Sequence, residues 1–158
     1  MICLNCKEAK VVKKKISVTV PVGADRSVEV AGIEAFVCPN CGNQSMSLSE
    51  IQKRDRQVLS LLARTYHDKL SELPGSVAAW MRKAIGLSLT EWAKAAHVDP
   101  SCFTQAAKRN TMIDQYATLI LVLKTIDYLT GQSVSTEVLN KITESANYIE
   151  QVRNVKFA

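Results

Sequence analysis

Two CxxC pairs, Cys3-Leu4-Asn5-Cys6 and Cys38-Pro39-Asn40-Cys41, constrain this chain more than any other feature. A CxxC turn aims both sulfurs at one point. Two such turns supply the four thiolates of a closed tetrahedral metal site, for which one zinc ion is the expected occupant. Four protein ligands leave no open position for water or substrate. The expected role is therefore structural, holding together a segment too short to fold on a core of its own. Two disulfides or a dithiol redox centre would use the same residue types, but each needs a compartment or neighbours that the sequence does not display.

The chain has 158 residues, enough for one ordinary domain or two small ones. Hydrophobic residues at 47% and charged residues at 22% fit a folded chain and exclude a disordered one. No signal peptide is legible, and the longest apolar stretch, around Leu119 to Leu123, is cut off by Lys124. Met1 leads directly into the first CxxC, so the expected compartment is the cytoplasm, where thiols stay reduced and can hold metal. The net charge of +5 permits nucleic-acid binding without requiring it. Basic residues gather at Lys10, Lys13, Lys14 and Lys15, at Lys53, Arg54 and Arg56, at Arg82 and Lys83, and at Lys108 and Arg109. A solvated face accounts for any single cluster equally well.

The expected fold class is α+β: a small zinc-bound β-hairpin domain over 1–46, a linker helix over 47–73, and an all-α domain over 74–158. Ile16, Val18, Val20 and Val22 alternate with Ser17, Thr19 and Pro21, the period of a half-buried strand. Gly23-Ala24-Asp25 is a turn signal. A returning strand then delivers Cys38 beside the first pair, and Gly32 marks a bulge in it. From about 47 the pattern is helical, with Ser47 or Ser49 as cap and Ile51, Val58, Leu61, Leu62 and Tyr66 on one face. Leu73-Pro74-Gly75 breaks the chain. A helix over Ser76 to Ile85 ends at Gly86, and Ser88-Leu89-Thr90-Glu91 is a capping box for the next. Asp99-Pro100 reads as N-cap and first helical position of another. Asp114 to Leu129 is apolar on most faces, and Ser135 caps a last amphipathic helix to about Asn154.

Two short helices joined by a three- or four-residue turn, within a five-helix set, match the helix-turn-helix pattern. The first is Thr90 to Ala96, the turn His97-Val98-Asp99, and the second Pro100 to Arg109. Ala93 allows close approach, while Val98 and Phe103 are expected in the core. A small helical packing with no DNA role fits the same pattern. On an outer recognition-helix face, Ser101, Thr104, Gln105 and Lys108 are the candidates for base edges, and Gln105 can pair with adenine. Lys108, Arg109, Lys94 and Arg82 suit phosphates. Cys102 is expected as a small, semi-buried side chain, and Trp80 and Trp92 as packing residues. His67 and His97 lack ligand spacing to the cysteines. No catalytic arrangement is legible, so the chain is not expected to be an enzyme.

The run from Met81 to Ala93 resembles the opening of XRE/Cro-type helix-turn-helix domains. With the paired CxxC turns and the hairpin between them, residues 1 to about 130 resemble the MqsA (YgiT-type) family. The resemblance implies an antitoxin of a toxin–antitoxin system: a zinc domain that neutralises a partner toxin, often a ribonuclease, and a dimeric domain that binds double-stranded DNA at a palindromic operator and represses its own operon. Leu89 stands where the family usually has Gln, Ala106-Ala107 where an aromatic or aliphatic residue precedes Glu, and Arg109 where Gly is frequent. Two alternatives follow: a protein-interaction adaptor whose helix-turn-helix serves dimerisation, and a stand-alone regulator with no toxin.

Overall fold

The computed structural model describes residues 1–131; the helix expected over Ser135 to Asn154 lies outside the described residues. The elements are β1 (Val12–Pro21), β2 (Ser27–Val37), β3 (Gln44–Ser45), α1 (Leu48–His67), a 3₁₀ turn (Leu70–Glu72), α2 (Gly75–Ala84), α3 (Leu89–Ala96), α4 (Pro100–Arg109) and α5 (Gln115–Thr130). The class is α+β, an antiparallel sheet in the order β1-β2-β3 followed by helices. The chain divides into two compact units. One comprises Met1–Pro21 and Ser27–Val58; the other comprises Val22–Arg26 and the described residues from Leu59 on. The division falls inside α1, and the turn between β1 and β2 groups with the helical unit. Among the described residues, no helix is long and apolar enough to cross a membrane.

In the first unit the alternation expected of β1 is present: Ile16 and Val18 are half-buried and Val20 is buried, while Lys15, Ser17, Thr19 and Pro21 are exposed. Ile16 pairs with Ile33, but Val18 pairs with Val30, so β2 carries one extra residue. Gly32, at φ +76°, takes the left-handed conformation that this bulge requires. The extra residue reverses the inward phase of β2. Val28 and Val30 face in before it, and Ile33 and Ala35 after it, with Ala31 and Gly32 exposed between. Ser47 Oγ accepts from the Glu50 amide at the start of α1. The Glu50 carboxylate accepts in turn from the Glu34 amide at 2.9 Å.

In the second unit, α1 buries Leu59, Leu62, Ala63 and Tyr66, whereas Leu61 is 49% exposed. Leu61 was expected on the buried face; it lies just outside the burial stripe that Val58, Leu59, Leu62, Ala63 and Tyr66 form on one side of the helix. The α3 capping box is complete: the Ser88 hydroxyl accepts from the Glu91 amide, and Glu91 Oε2 accepts from the Ser88 amide. Asp99 caps α4 with Pro100 at its start, and Asp114 caps α5. His97 and Asn110 end α3 and α4 in left-handed conformations, and Gly131 ends α5 likewise. The apolar run Leu119 to Leu123 is buried, with Leu119 and Leu123 packed on Leu70 and Ile126. Trp92 and Phe103 stack with ring centroids 3.8 Å apart, and the indole N–H donates to the Ala117 carbonyl. Val98 is only half-buried.

Candidate metal centre and candidate recognition surface

The first knuckle is tied off by the Lys7 amide donating to the Cys3 carbonyl at 2.9 Å. The second repeats this bond, from the Gly42 amide to the Cys38 carbonyl at 3.0 Å. Lys7 (φ +60°) and Gly42 (φ +70°) occupy the same left-handed position, one residue after the second cysteine of each pair. The two halves of the centre therefore share one backbone turn, although only one has the glycine that suits it.

The four sulfurs lie within 4.8 Å of one another, with Cys3 to Cys41 at 3.7 Å and Cys6 to Cys38 at 3.6 Å. A tetrahedral ion with metal–sulfur bonds of about 2.3 Å separates its ligands by roughly 3.8 Å. The donor set thus fits a four-coordinate metal ion and is far too open for disulfides, whose sulfurs sit about 2.05 Å apart. All four cysteines are free. Cys3 and Cys38 are buried, Cys6 is half-buried, and Cys41 is exposed.

Electrostatics within the cluster are uneven. The Glu8 backbone amide, helped by the Cys38 and Cys41 thiols and the Asn40 side chain, lowers the Cys6 thiol to about 6. The Asn43 amide and the Asn5 side chain lower Cys41. The Cys41 amide also acts to lower Cys38, but burial and the adjoining Cys41 and Cys6 thiols outweigh it and leave Cys38 raised to about 11. The cluster thus eases proton loss at two corners, and a cation at its centre would favour thiolate at all four.

Sequence reasoning passed over the asparagines. Each pair reads C-x-N-C, and each asparagine reaches across to the other knuckle. Asn5 Nδ2 donates to Cys41 Sγ at 3.6 Å, and Asn40 Nδ2 donates to Glu8 Oε2 at 2.7 Å beside Cys6. The repeated asparagine was the available signal. His67, buried beside Asp68, and His97, exposed at the end of α3, are not in the cluster.

In the helical unit, Ser101, Thr104, Gln105, Lys108 and Arg109 are exposed along α4, opposite the buried Phe103. Lys94 is exposed on α3. Arg82 is half-buried, and its guanidinium donates to the Leu87 carbonyl, closing the α2–α3 loop. Cys102 is exposed, not semi-buried as expected, because Phe103 and the half-buried Ala106 and Ala107 define the inner stripe of α4. A shallow groove of about 200 Å³ is floored by Leu89, Trp92 and Phe103 and rimmed by Arg82, Lys83 and Lys108. Trp80 is half-buried on α2.

No family model matches this chain, and no curated protein matches it.

Proposed function

We propose that this chain is a DNA-binding transcriptional regulator of the MqsA (YgiT-type) kind, with one structural zinc ion held by Cys3, Cys6, Cys38 and Cys41. Four thiolates at tetrahedral spacing suit zinc, which is redox-inert and, with no fifth position open, serves to fix the two knuckles. The regulator reading is carried by one observation: α3 and α4 are short, capped helices joined by a tight turn, and α4 turns a polar and basic face away from Phe103. In a helix-turn-helix that face enters the major groove, with Ser101, Thr104 and Gln105 toward base edges and Lys108, Arg109 and Lys94 toward phosphates. Arg82 supports the loop before α3 and keeps further N–H donors for a phosphate. A homodimer on a palindromic operator upstream of the gene is the assembly this mode of reading calls for.

The antitoxin role, with a ribonuclease toxin as partner of the metal-bearing unit, extends the same resemblance. Gel-shift titration of the upstream region at two salt concentrations tests the regulator reading. Binding tighter than to random DNA sustains it. Uniformly weak binding makes the protein-interaction adaptor the better reading. Co-purification with the product of the adjacent reading frame tests the toxin partner separately.

A further inference from the structure

We infer that Ser76 is a positioning residue through which the β1–β2 turn holds the end of α4. The Ser76 hydroxyl accepts from the Ala24 amide at 3.2 Å and donates to Asn110 Oδ1 at 2.5 Å. Only a hydroxyl can serve both bonds with one atom; alanine offers neither, and a thiol makes weak versions of each. Asn110 is the cap of α4, held at φ +51° with its amide on the Ala106 carbonyl. The relay therefore runs from a turn in the hairpin to a strained residue that ends the proposed recognition helix.

The turn is built to reach that hydroxyl. Val22 is buried, and Arg26 donates to the Tyr66 hydroxyl at 3.2 Å, which fixes both flanks. Between them stands Gly23. A Cβ there would lie 2.6 Å from Ser76 Oγ and 3.1 Å from Val77 Cγ2. Gly23 has no positive φ to account for it, so its smallness serves close approach. Any side chain at 23 pushes the Ser76 hydroxyl off its partners. This assignment rests on the regulator reading for its functional meaning, because α4 is the helix that reading sends to DNA.

The experiment is a cycle of Gly23→Ala, Ser76→Ala and the double variant in the full chain. Amide exchange is read at Asn110 and Thr111, which both donate to the Ala106 carbonyl. Ser76→Ala should speed exchange there about fivefold, the worth of one ordinary hydrogen bond. Gly23→Ala should do the same, and the double variant should be no faster than Ser76→Ala alone. DNA affinity should fall about three- to tenfold in Ser76→Ala with the salt slope unchanged, since no phosphate contact is removed. Simple addition of the two effects, or no change at Asn110 and Thr111, overturns the assignment. Failure of the unaltered chain to prefer any DNA overturns the regulator reading instead, and the exchange cycle still decides the role of Ser76.

Discussion

Gly75 meets the backbone of Ala106 so closely that a Cβ at position 75 would fall 2.3 Å from the Ala106 carbonyl carbon and 2.7 Å from the Ala107 nitrogen. The start of α2 and the middle of α4 thus cross backbone to backbone. The Gly75 amide donates to the Thr111 carbonyl at 2.8 Å, and Ile113 donates back to Leu73. Gly75→Ala should cost about 3 kcal/mol, at the upper end for overpacking, because backbone rather than a flexible side chain is in the way. Chemical denaturation of the variant beside the unaltered chain gives the figure.

That crossing runs along Ala106-Ala107, which are half-buried on the inner side of α4, and it is the Ala106 backbone that Gly75 meets. Much was legible in the sequence because it is local. The period of β1, the Gly32 bulge, the Ser88–Glu91 box and the Asp99-Pro100 start are each fixed by residues a few positions apart. The sulfur cluster was legible because its spacing carries its geometry. The exposure of Leu61 and Cys102 and the reach of Asn5 and Asn40 were not, since each depends on which distant element the side chain meets.

The metal centre makes a proton-linked prediction. Each ligand must lose its proton to bind, and Cys38, raised to about 11, keeps its proton at neutral pH in the metal-free chain, whereas Cys6, lowered to about 6, has largely lost it. Metal affinity should therefore rise steadily with pH from 6 to 8, and loading should release protons. Competition with a chromophoric chelator at several pH values measures this. Elemental analysis should find one zinc per chain, and Cys3→Ser should abolish tight retention.

The shared left-handed turn predicts opposite effects at its two copies. Lys7→Gly should stabilise the metal-loaded chain by about 1 kcal/mol, relieving a side chain at φ +60°. Gly42→Ala should destabilise it by a similar amount, about 1 kcal/mol, through conformation alone, since nothing lies within 4 Å of the added methyl. Thermal unfolding at fixed zinc concentration compares the two.

The helix caps predict acid sensitivity. Bonds from the Ser88 hydroxyl and amide hold the Glu91 carboxyl below its usual range, and those from Ser101 do the same for Asp99. A carboxylate lowered on folding stabilises the fold fully above its unfolded pKa, near 4 for both types, and that contribution disappears as pH falls through the lower folded value. Stability should thus drop below about pH 4, and Glu91→Gln should flatten part of the drop while lowering stability at neutral pH. Denaturant midpoints from pH 2 to 6 show whether it does.

The proposed DNA reading separates two residues on one helix face. Gln105 is exposed in the middle of α4, where its amide can pair with an adenine edge, so Gln105→Ala should cost roughly 1–3 kcal/mol at one base position and relax the preference there. Lys108 is exposed about one turn further on, and the regulator reading proposed above gives it the part of a charge near the DNA backbone. Lys108→Ala should weaken binding to every sequence alike and reduce the salt slope by about one. Titrations of the upstream fragment and of single-base variants, each at two salt concentrations, distinguish the outcomes. A uniform loss from Gln105→Ala, with no position affected more than another, would place that residue among the backbone contacts and move base reading to Ser101 and Thr104.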